Sequence, residues 1–279
     1  MRKASQEAFA IEFVHRIRKL DPRIGGKKLW RMYRKEIKGK DRMGRDKFEE
    51  MLDRHGLKLR LKIRQPKTTD SSHGLPLFPN LVYSFIPEGI NQLWVSDITY
   101  IPVWFSETEY VFCYLTLIMD AYSREIIGWS VGSTLETKFT AQALTMAFKR
   151  LENLGQEQLE KLIHHSDRGV QYASKDYVGM LKAKSIQISM TENGNPKDNA
   201  MAERINLTVK GELLKDLIFH SIREVFDAVE KAVDFYNNYR PHMSIDWMTP
   251  AEAAQCNGEI KKWWKSYRDK AIKESKDIA

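Results

Sequence analysis

The stretch LWVSDITYIPV, residues 93–103, decides how this chain folds. β-Branched and aromatic side chains dominate it, which is typical of a buried β-strand. Asp97 interrupts the strand, and burying a carboxylate among apolar side chains costs free energy unless a partner compensates it. The stretch therefore predicts a core strand that carries an unusually placed acid.

Two further apolar stretches follow after short connections, YVFCYLTLIMD (110–120) and REIIGWSV (124–131). Strands joined by connections this short pair antiparallel, so we expect a three-stranded antiparallel unit. The elements predicted after it alternate: helix 137–151, strand 162–167, helix 174–184, strand 186–190, and helices 200–214 and 221–239. This order predicts an α/β fold, with a mixed five-stranded sheet flanked by helices.

Composition limits the class of protein. The chain has 279 residues, of which 42% are hydrophobic, and this suffices for a packed core and excludes a disordered protein. Its two cysteines cannot form a disulfide framework, so we expect a reduced, cytoplasmic chain. The N-terminus lacks an apolar signal sequence and no apolar run is long enough to cross a bilayer, so no membrane partner is expected.

The positive charge is concentrated at the N-terminus. The formal net charge is +8, yet residues 1–70 hold 22 Lys and Arg against 10 Asp and Glu, whereas the remaining residues hold 23 against 27. The first segment therefore carries a net +12 and the rest −4. This excess favours a polyanionic partner, of which nucleic acid is the simplest.

The charge and the apolar spacing divide the chain into four regions. Residues 1–65 are predicted to form a small all-α module, whose first helix has an apolar face of Phe9, Phe13, Ile17 and Leu20. Three short helices with tight glycine turns suit a DNA-binding helix-turn-helix, although a small solvated helical bundle fits the pattern equally well. A proline-rich linker is predicted over 66–87, the α/β domain over 88–258 and a basic C-terminal tail over 259–279.

Three carboxylates stand at informative positions in the predicted sheet. Asp97 lies within the first strand, Asp167 ends the fourth, and Glu203 lies in the first turn of the helix after the fifth, with thirty-five residues between Asp167 and Glu203. Taken singly, each is explained as well by a turn or by the helix dipole. Together at one edge of the sheet they would supply hard oxygen ligands for Mg²⁺ or Mn²⁺. Two such ions activate a water or a DNA 3′-hydroxyl and stabilise the leaving oxygen of a phosphodiester.

The neighbours of these acids have expected roles of their own. Gly169 is expected to let the backbone turn sharply beside Asp167. The loop TENGNPKDN, residues 191–199, is expected to be a mobile connector over the active-site edge. Asn199 is expected to cap the helix that carries Glu203.

Five ordered motifs resemble those of a known family. They are LWVSDITYI around Asp97, LIMDAYSREIIGWS after the second strand, HHSDRGVQYAS around Asp167, SMTENGNPKDNAMAERINLTVKGEL around Glu203, and YNNYRPHMSIDWMTPAEA at 236–253. With the thirty-five-residue gap, they resemble the DDE transposases and retroviral-type integrases. The chain is most similar to the second-frame protein of bacterial insertion sequences whose transposase is split over two overlapping reading frames. The resemblance is strong over residues 90–255 and weaker over the basic N-terminal segment.

The resemblance implies a ribonuclease-H-like core preceded by a helix-turn-helix module. It also implies that Asp97, Asp167 and Glu203 are the catalytic residues and bind two Mg²⁺ or Mn²⁺ ions. Five other residues, of which Lys210 comes from the resemblance, are candidates for DNA contacts: Arg168, Gln171, Lys210, Arg240 and His242. Structural roles remain open for each of these five.

The expected function is that of a transposase that cuts the 3′ ends of an insertion sequence and joins them to target DNA. Two alternatives remain open at this point, an inactive DNA-binding regulator of the element and a ribonuclease-H-like nuclease without strand transfer. The expected partners are DNA, further copies of the chain in a homo-oligomer, and a first-frame helix-turn-helix protein, fused upstream or supplied in trans. We expect the protein in the bacterial cytoplasm, associated with the nucleoid when bound to DNA.

Overall fold

A mixed five-stranded sheet forms the centre of the structure, as the sequence predicts. Its strands are β1 (Leu93–Trp104), β2 (Tyr110–Asp120), β3 (Ile126–Gly132), β4 (Ile163–Ser166) and β5 (Gln187–Met190). The spatial order is β3-β2-β1-β4-β5, with β1, β2 and β3 antiparallel and with β4 parallel to both β1 and β5. This topology is that of a ribonuclease-H-like core, and it places β1 at the centre.

The computed structural model describes residues 2–37, 42–58, 74–105, 110–152, 154–192, 199–263 and 272, with the backbone alone for residues 2–5. Its helices are α1 (Arg2–Leu20), α2 (Gly26–Glu36), α3 (Arg45–Arg54), α4 (Thr137–Phe148), α5 (Gln156–Lys161), α6 (Val170–Ala173), α7 (Lys175–Ala183), α8 (Ala200–Thr208), α9 (Ile222–Asn238) and α10 (Pro250–Ala253). A π-helical turn, Val209–Leu213, continues α8 without a break. No described helix combines the length and apolarity needed to span a bilayer.

The two faces of the sheet bury separate apolar clusters. One face packs against α8, α9 and the N-terminal helices, and the other packs against α4, α6 and α7. Side chains alternate along β1, so Val95 and Ile101 enter the first cluster whereas Trp94 enters the second. The same alternation sends neighbouring Ser96 and Asp97 to opposite faces of the sheet. Ser96 therefore contacts α6 on one face, and Asp97 contacts α8 on the other.

The N-terminal helices form where the sequence predicts them, and α1 buries part of its predicted face. Of that face, Phe13 and Ile17 are buried whereas Phe9 and Leu20 are exposed, and Ala10 and Val14 are buried beside them. The helical face that packs is therefore rotated from the predicted one. These side chains join the apolar cluster beneath β1 and α9, so the module is docked on the sheet domain.

The described part of the predicted linker, residues 74–87, packs along the sheet. The backbone N–H of Leu81 donates to Ser189 Oγ at 2.9 Å, and Phe78 packs against the second apolar cluster. Residues 66–73 and most of the predicted C-terminal tail lie outside the described residues. The four-region division stays a prediction.

Candidate active site

Asp97 projects from the middle of β1 toward α8. Its carboxylate is partly exposed, and Asn206 Nδ2 donates to its Oδ2 at 2.9 Å. Asn206 is nearly buried, and its own Oδ1 has no hydrogen-bond partner among the described residues. A buried amide oxygen without a partner is costly, so Asn206 keeps one unsatisfied polar atom in the side-chain amide that holds Asp97.

Asp167 follows β4 directly and lies beside Asp97. The parallel pairing places Val95 opposite His165, and the two aspartates come two residues further along each strand. Neighbouring strands lie about 4.8 Å apart, so this register brings the two carboxylates together. The backbone N–H of Gly169 donates to Asp167 Oδ1 at 2.9 Å.

Gly169 is needed for space rather than for an unusual backbone angle. Its φ of −59° is open to any residue, which corrects the expectation of a sharp glycine turn. A Cβ there would lie 2.9 Å from Asp167 Oδ1, closer than real Cβ contacts allow. The missing side chain therefore lets the backbone approach the carboxylate.

Tyr172 on α6 lies behind both aspartates. It is buried, and its hydroxyl lies 2.9 Å from Ser96 Oγ. Burial raises the pKa of Tyr172 well above 10, and the charges of Tyr177, Asp97 and Asp167 raise it further. Tyr172 therefore contacts β1 at the residue before Asp97, a contact that no sequence pattern revealed.

Glu203 lies in the first turn of α8, one turn before Asn206. Residues three apart share a helix face, so Glu203 belongs to the face that meets Asp97. The described residues nevertheless contain no group of three His, Cys, Asp or Glu side chains arranged to hold one metal ion. Glu203 shares the helix face that meets Asp97, but it does not form a closed ligand set with the two aspartates.

Asn199 occupies the N-cap position of α8, as predicted, but its side chain does not act as the cap. Its side chain makes no capping hydrogen bond, and Nδ2 instead donates to Ser96 O at 3.0 Å. Its Oδ1, like that of Asn206, is buried without a partner among the described residues. Residues 193–198 of the preceding loop, which was expected to be mobile, lie outside the described residues.

The oxygen-rich donor set fits a hard divalent cation. Asp97, Asp167 and Glu203 offer carboxylates, and Asn199 and Asn206 add two buried amide oxygens without partners among the described residues. Mg²⁺ and Mn²⁺ prefer such ligands. The adjacent His164 and His165 instead bond within the core, to the Tyr177 and Ser189 hydroxyls.

Three of the five predicted DNA contacts have partly or fully exposed side chains. Arg168 Nε donates to Thr191 O at 2.6 Å, which ties the ends of β4 and β5 together. Gln171 Nε2 donates to Leu135 O at 2.9 Å from an exposed position. Lys210 is exposed on the π turn after α8.

Arg240 and His242 do not fit the predicted DNA contacts. Arg240 is only 1% exposed, and its guanidinium is engaged by Asp21 and Glu212. His242 is half-buried with its ring against Tyr236, and burial together with Arg240 lowers its pKa well below 6.5. A buried guanidinium and a neutral, packed imidazole are poorly suited to a phosphate. The burial of Arg240 depends on an aspartate far away in sequence, which no local pattern reveals.

Comparison with known proteins agrees with the fold. The family model described as the integrase core domain matches residues 87–196, and a second model of the same description matches residues 184–250. The sheet topology and these matches define an integrase-type polynucleotidyl transferase core.

Several insertion-sequence proteins are similar over most of the chain. The uncharacterized 31 kDa protein of insertion element IS600 from Shigella sonnei is 34% identical, over 75% of this chain and 74% of its own length. The putative transposase of IS986/IS6110 from Mycobacterium tuberculosis H37Rv is 33% identical, over 82% of this chain and 80% of its own. The catalytic core of HTLV-2 integrase with magnesium is 17% identical with a TM-score of 0.43, over 60% of this chain and 98% of that structure. The chain belongs to the family of DDE insertion-sequence transposases.

Proposed function

We propose that this transposase hydrolyses the phosphodiester at the 3′ ends of an insertion sequence and then joins the freed 3′-hydroxyls to target DNA. The observation that carries the proposal is the placement of Asp97 and Asp167 side by side on β1 and β4, with Glu203 on the helix that bonds to Asp97. Both steps are in-line displacements at phosphorus, so one set of carboxylates serves both.

Asp97, Asp167 and Glu203 are proposed to hold two Mg²⁺ or Mn²⁺ ions. Bound there, the ions would supply Lewis-acid activation of the attacking oxygen and charge stabilisation of the leaving one. The protein's own residues orient the ligands: Asn206 fixes one oxygen of Asp97, and the Gly169 N–H fixes one oxygen of Asp167. Such partners of metal ligands typically matter about 10–100-fold for affinity or activity.

DNA is proposed to run from the basic N-terminal helices to the carboxylates. The net +12 of residues 1–70 supplies sequence-independent attraction to phosphates. Arg168, Gln171 and Lys210 are the proposed contacts near the cleavage point, because they lie beside Asp167 or follow the helix that carries Glu203. The expected assembly is a homo-oligomer that holds two element ends, in the cytoplasm and on nucleoid DNA. A first-frame helix-turn-helix protein is the proposed additional partner.

The test uses the full chain, a labelled duplex of the element end and a plasmid target. We expect 3′ nicks and joined products in Mg²⁺ or Mn²⁺, none in EDTA, and a loss of at least about 1,000-fold in both steps for Asp167→Asn and Glu203→Gln. The matched control is Asp176→Asn, an exposed acid in the first turn of α7.

Each alternative function has its own outcome in this assay. Nicking without joining would indicate a nuclease and overturn the strand-transfer part. Binding to the element end without either reaction would indicate a regulator. A Glu203→Gln variant as active as the wild type would remove Glu203 from the site.

A further inference from the structure

A buried charge cluster joins the N-terminal helices to the helix that carries Glu203. Arg240, just after α9, lies between Asp21, from the turn after α1, and Glu212, from the π turn after α8. Its Nε lies 3.5 Å from Asp21 Oδ2, and its Nη2 donates to Glu212 Oε2. Lys28 Nζ, from α2, lies 3.7 Å from the same Glu212 oxygen. These four residues, here called the Arg240 cluster, bring two parts of the N-terminal module to the π turn.

The Arg240 cluster is not explained by stability alone. Burial lowers the pKa of Arg240 to about 10, so the guanidinium stays charged near neutral pH. Burial also raises the pKa values of Asp21 and Glu212, which shows that the site is costly for charge. Buried ion pairs often contribute less than apolar packing of the same volume, whereas they accept only one arrangement of their partners. The cluster therefore specifies how the module docks.

Glu212 lies in the π turn that directly continues α8. π turns are uncommon, and they concentrate at functional sites. The π turn is the last turn of this helix, and Glu212 Oε1 also lies 4.0 Å from Nη2 of Arg204, the residue after Glu203. Glu212 therefore ties the C-terminal end of the helix both to Arg240 and to the residue that follows Glu203.

We propose that Arg240 and Glu212 are positioning residues that make the placement of Glu203 depend on the docked N-terminal module. When Lys28 and Asp21 are seated, the π turn is held and the Glu203 face of α8 stays turned toward Asp97. When they are not, the π turn relaxes and Glu203 turns away. The inference rests on the proposed function, because it assigns a consequence to the position of Glu203.

The test measures the helix and the metal separately from the reaction. In the full chain, hydrogen–deuterium exchange of residues 200–213 and Mn²⁺ binding by calorimetry are compared for the wild type and four variants. Glu212→Leu and Lys28→Met both remove the ion pair between Lys28 and Glu212. Glu212→Gln keeps a hydrogen-bond acceptor at that position. Arg223→Gln, the control, disrupts an exposed ion pair on α9. We expect at least about tenfold faster exchange and tenfold weaker Mn²⁺ binding for the first two variants, and changes below about threefold for the other two.

A third measurement separates positioning from general damage. Raising Mn²⁺ is expected to restore DNA cleavage by Lys28→Met toward the wild-type rate, with the KM for DNA within about twofold. If Glu212→Leu fails to fold, Lys28→Met decides, because it leaves Arg240 paired with Asp21 and Glu212. Wild-type exchange and wild-type Mn²⁺ binding in a folded Lys28→Met would overturn the proposal. Absence of cleavage by the wild type would instead overturn the proposed function. The hydrogen–deuterium exchange and Mn²⁺-binding measurements would still test the role of the Arg240 cluster.

Discussion

Two aspartates lie on the adjacent strands at the middle of the sheet, and their surroundings differ. Asp120, at the end of β2, is 2% exposed and accepts hydrogen bonds from three backbone N–H groups and the Ser123 hydroxyl. Asp97, on β1, is partly exposed and receives the amide of Asn206, whose second polar atom has no partner among the described residues.

The difference fits a structural role for Asp120 and the catalytic role proposed for Asp97. At Asp120, burial raises the carboxyl pKa while its hydrogen bonds lower it, and the group closes the turn between β2 and β3. At Asp97, the side chain is only partly buried, and one carboxylate oxygen accepts from Asn206. Both acids lie in motifs that carry the family resemblance, so only their surroundings distinguish the two roles.

The largest expected effects come from replacing each of the two aspartates in turn. Asp97→Asn is expected to lower strand transfer at least about 1,000-fold and to change the free energy of unfolding by less than about 1 kcal/mol, because a metal ligand is lost while a polar group of the same shape remains. Asp120→Ala is expected to lower the free energy of unfolding by about 3 kcal/mol, because buried donors lose their acceptor. Urea denaturation and the joining assay measure the two quantities.

The comparison of the two aspartates would fail in either of two ways. Asp120→Ala could unfold at the wild-type urea concentration, or its folded fraction could lose strand transfer as severely as Asp97→Asn does. Either result would place Asp120 in the active site or remove its structural role. Joining is measured below the unfolding midpoint and normalised to folded protein, so that the two losses stay separate.

Much of the fold was readable from the sequence because the signals are local. All five strands were predicted, since each is apolar and bounded by turn residues. The short helices α5 and α6 were missed, because six and four residues are too few to show a helical period. The π turn inside the predicted helix 200–214 also leaves no mark in apolar spacing.

The site was readable in part, for a similar reason. Asp97, Asp167 and Glu203 follow from motif spacing, and they remain proposals for catalysis. Asn206 and Tyr172 belong to the site only through contacts made across the fold.

A smaller effect is expected from two asparagines that repeat the contrast between the aspartates. Asn206→Leu removes the hydrogen bond to Asp97, so we expect strand transfer to fall about 10–100-fold with little loss of stability, since a buried unpaired oxygen is removed as well. Asn237 on α9 instead accepts from the N–H and donates to the carbonyl of Ile126, at 2.9 and 3.0 Å. Asn237→Leu should cost about 1–3 kcal/mol of unfolding free energy and leave strand transfer per folded molecule within about threefold. Equal activity losses in the two variants would contradict this assignment.

The smallest effect is expected at Tyr172, which is buried in the core and contacts Ser96, the neighbour of Asp97. Ser96 Oγ already donates its single proton to Leu117 O, so the Tyr172 hydroxyl is the donor between the two side chains. Tyr172→Phe should therefore lower the free energy of unfolding by about 1 kcal/mol.

Burial, followed by the charges of Tyr177 and the two aspartates, raises the pKa of Tyr172 well above 10, so the hydroxyl is neutral wherever the enzyme is assayed. Removing it changes no charge beside the carboxylates, and the pH profile of strand transfer between about pH 6 and 9 should coincide with that of the wild type. Ser96→Ala is the matched variant, because it removes the other partner of the same hydrogen bond. A pH profile that is displaced in Tyr172→Phe but not in Ser96→Ala would show that Tyr172 takes part in proton transfer at the site rather than only supporting β1.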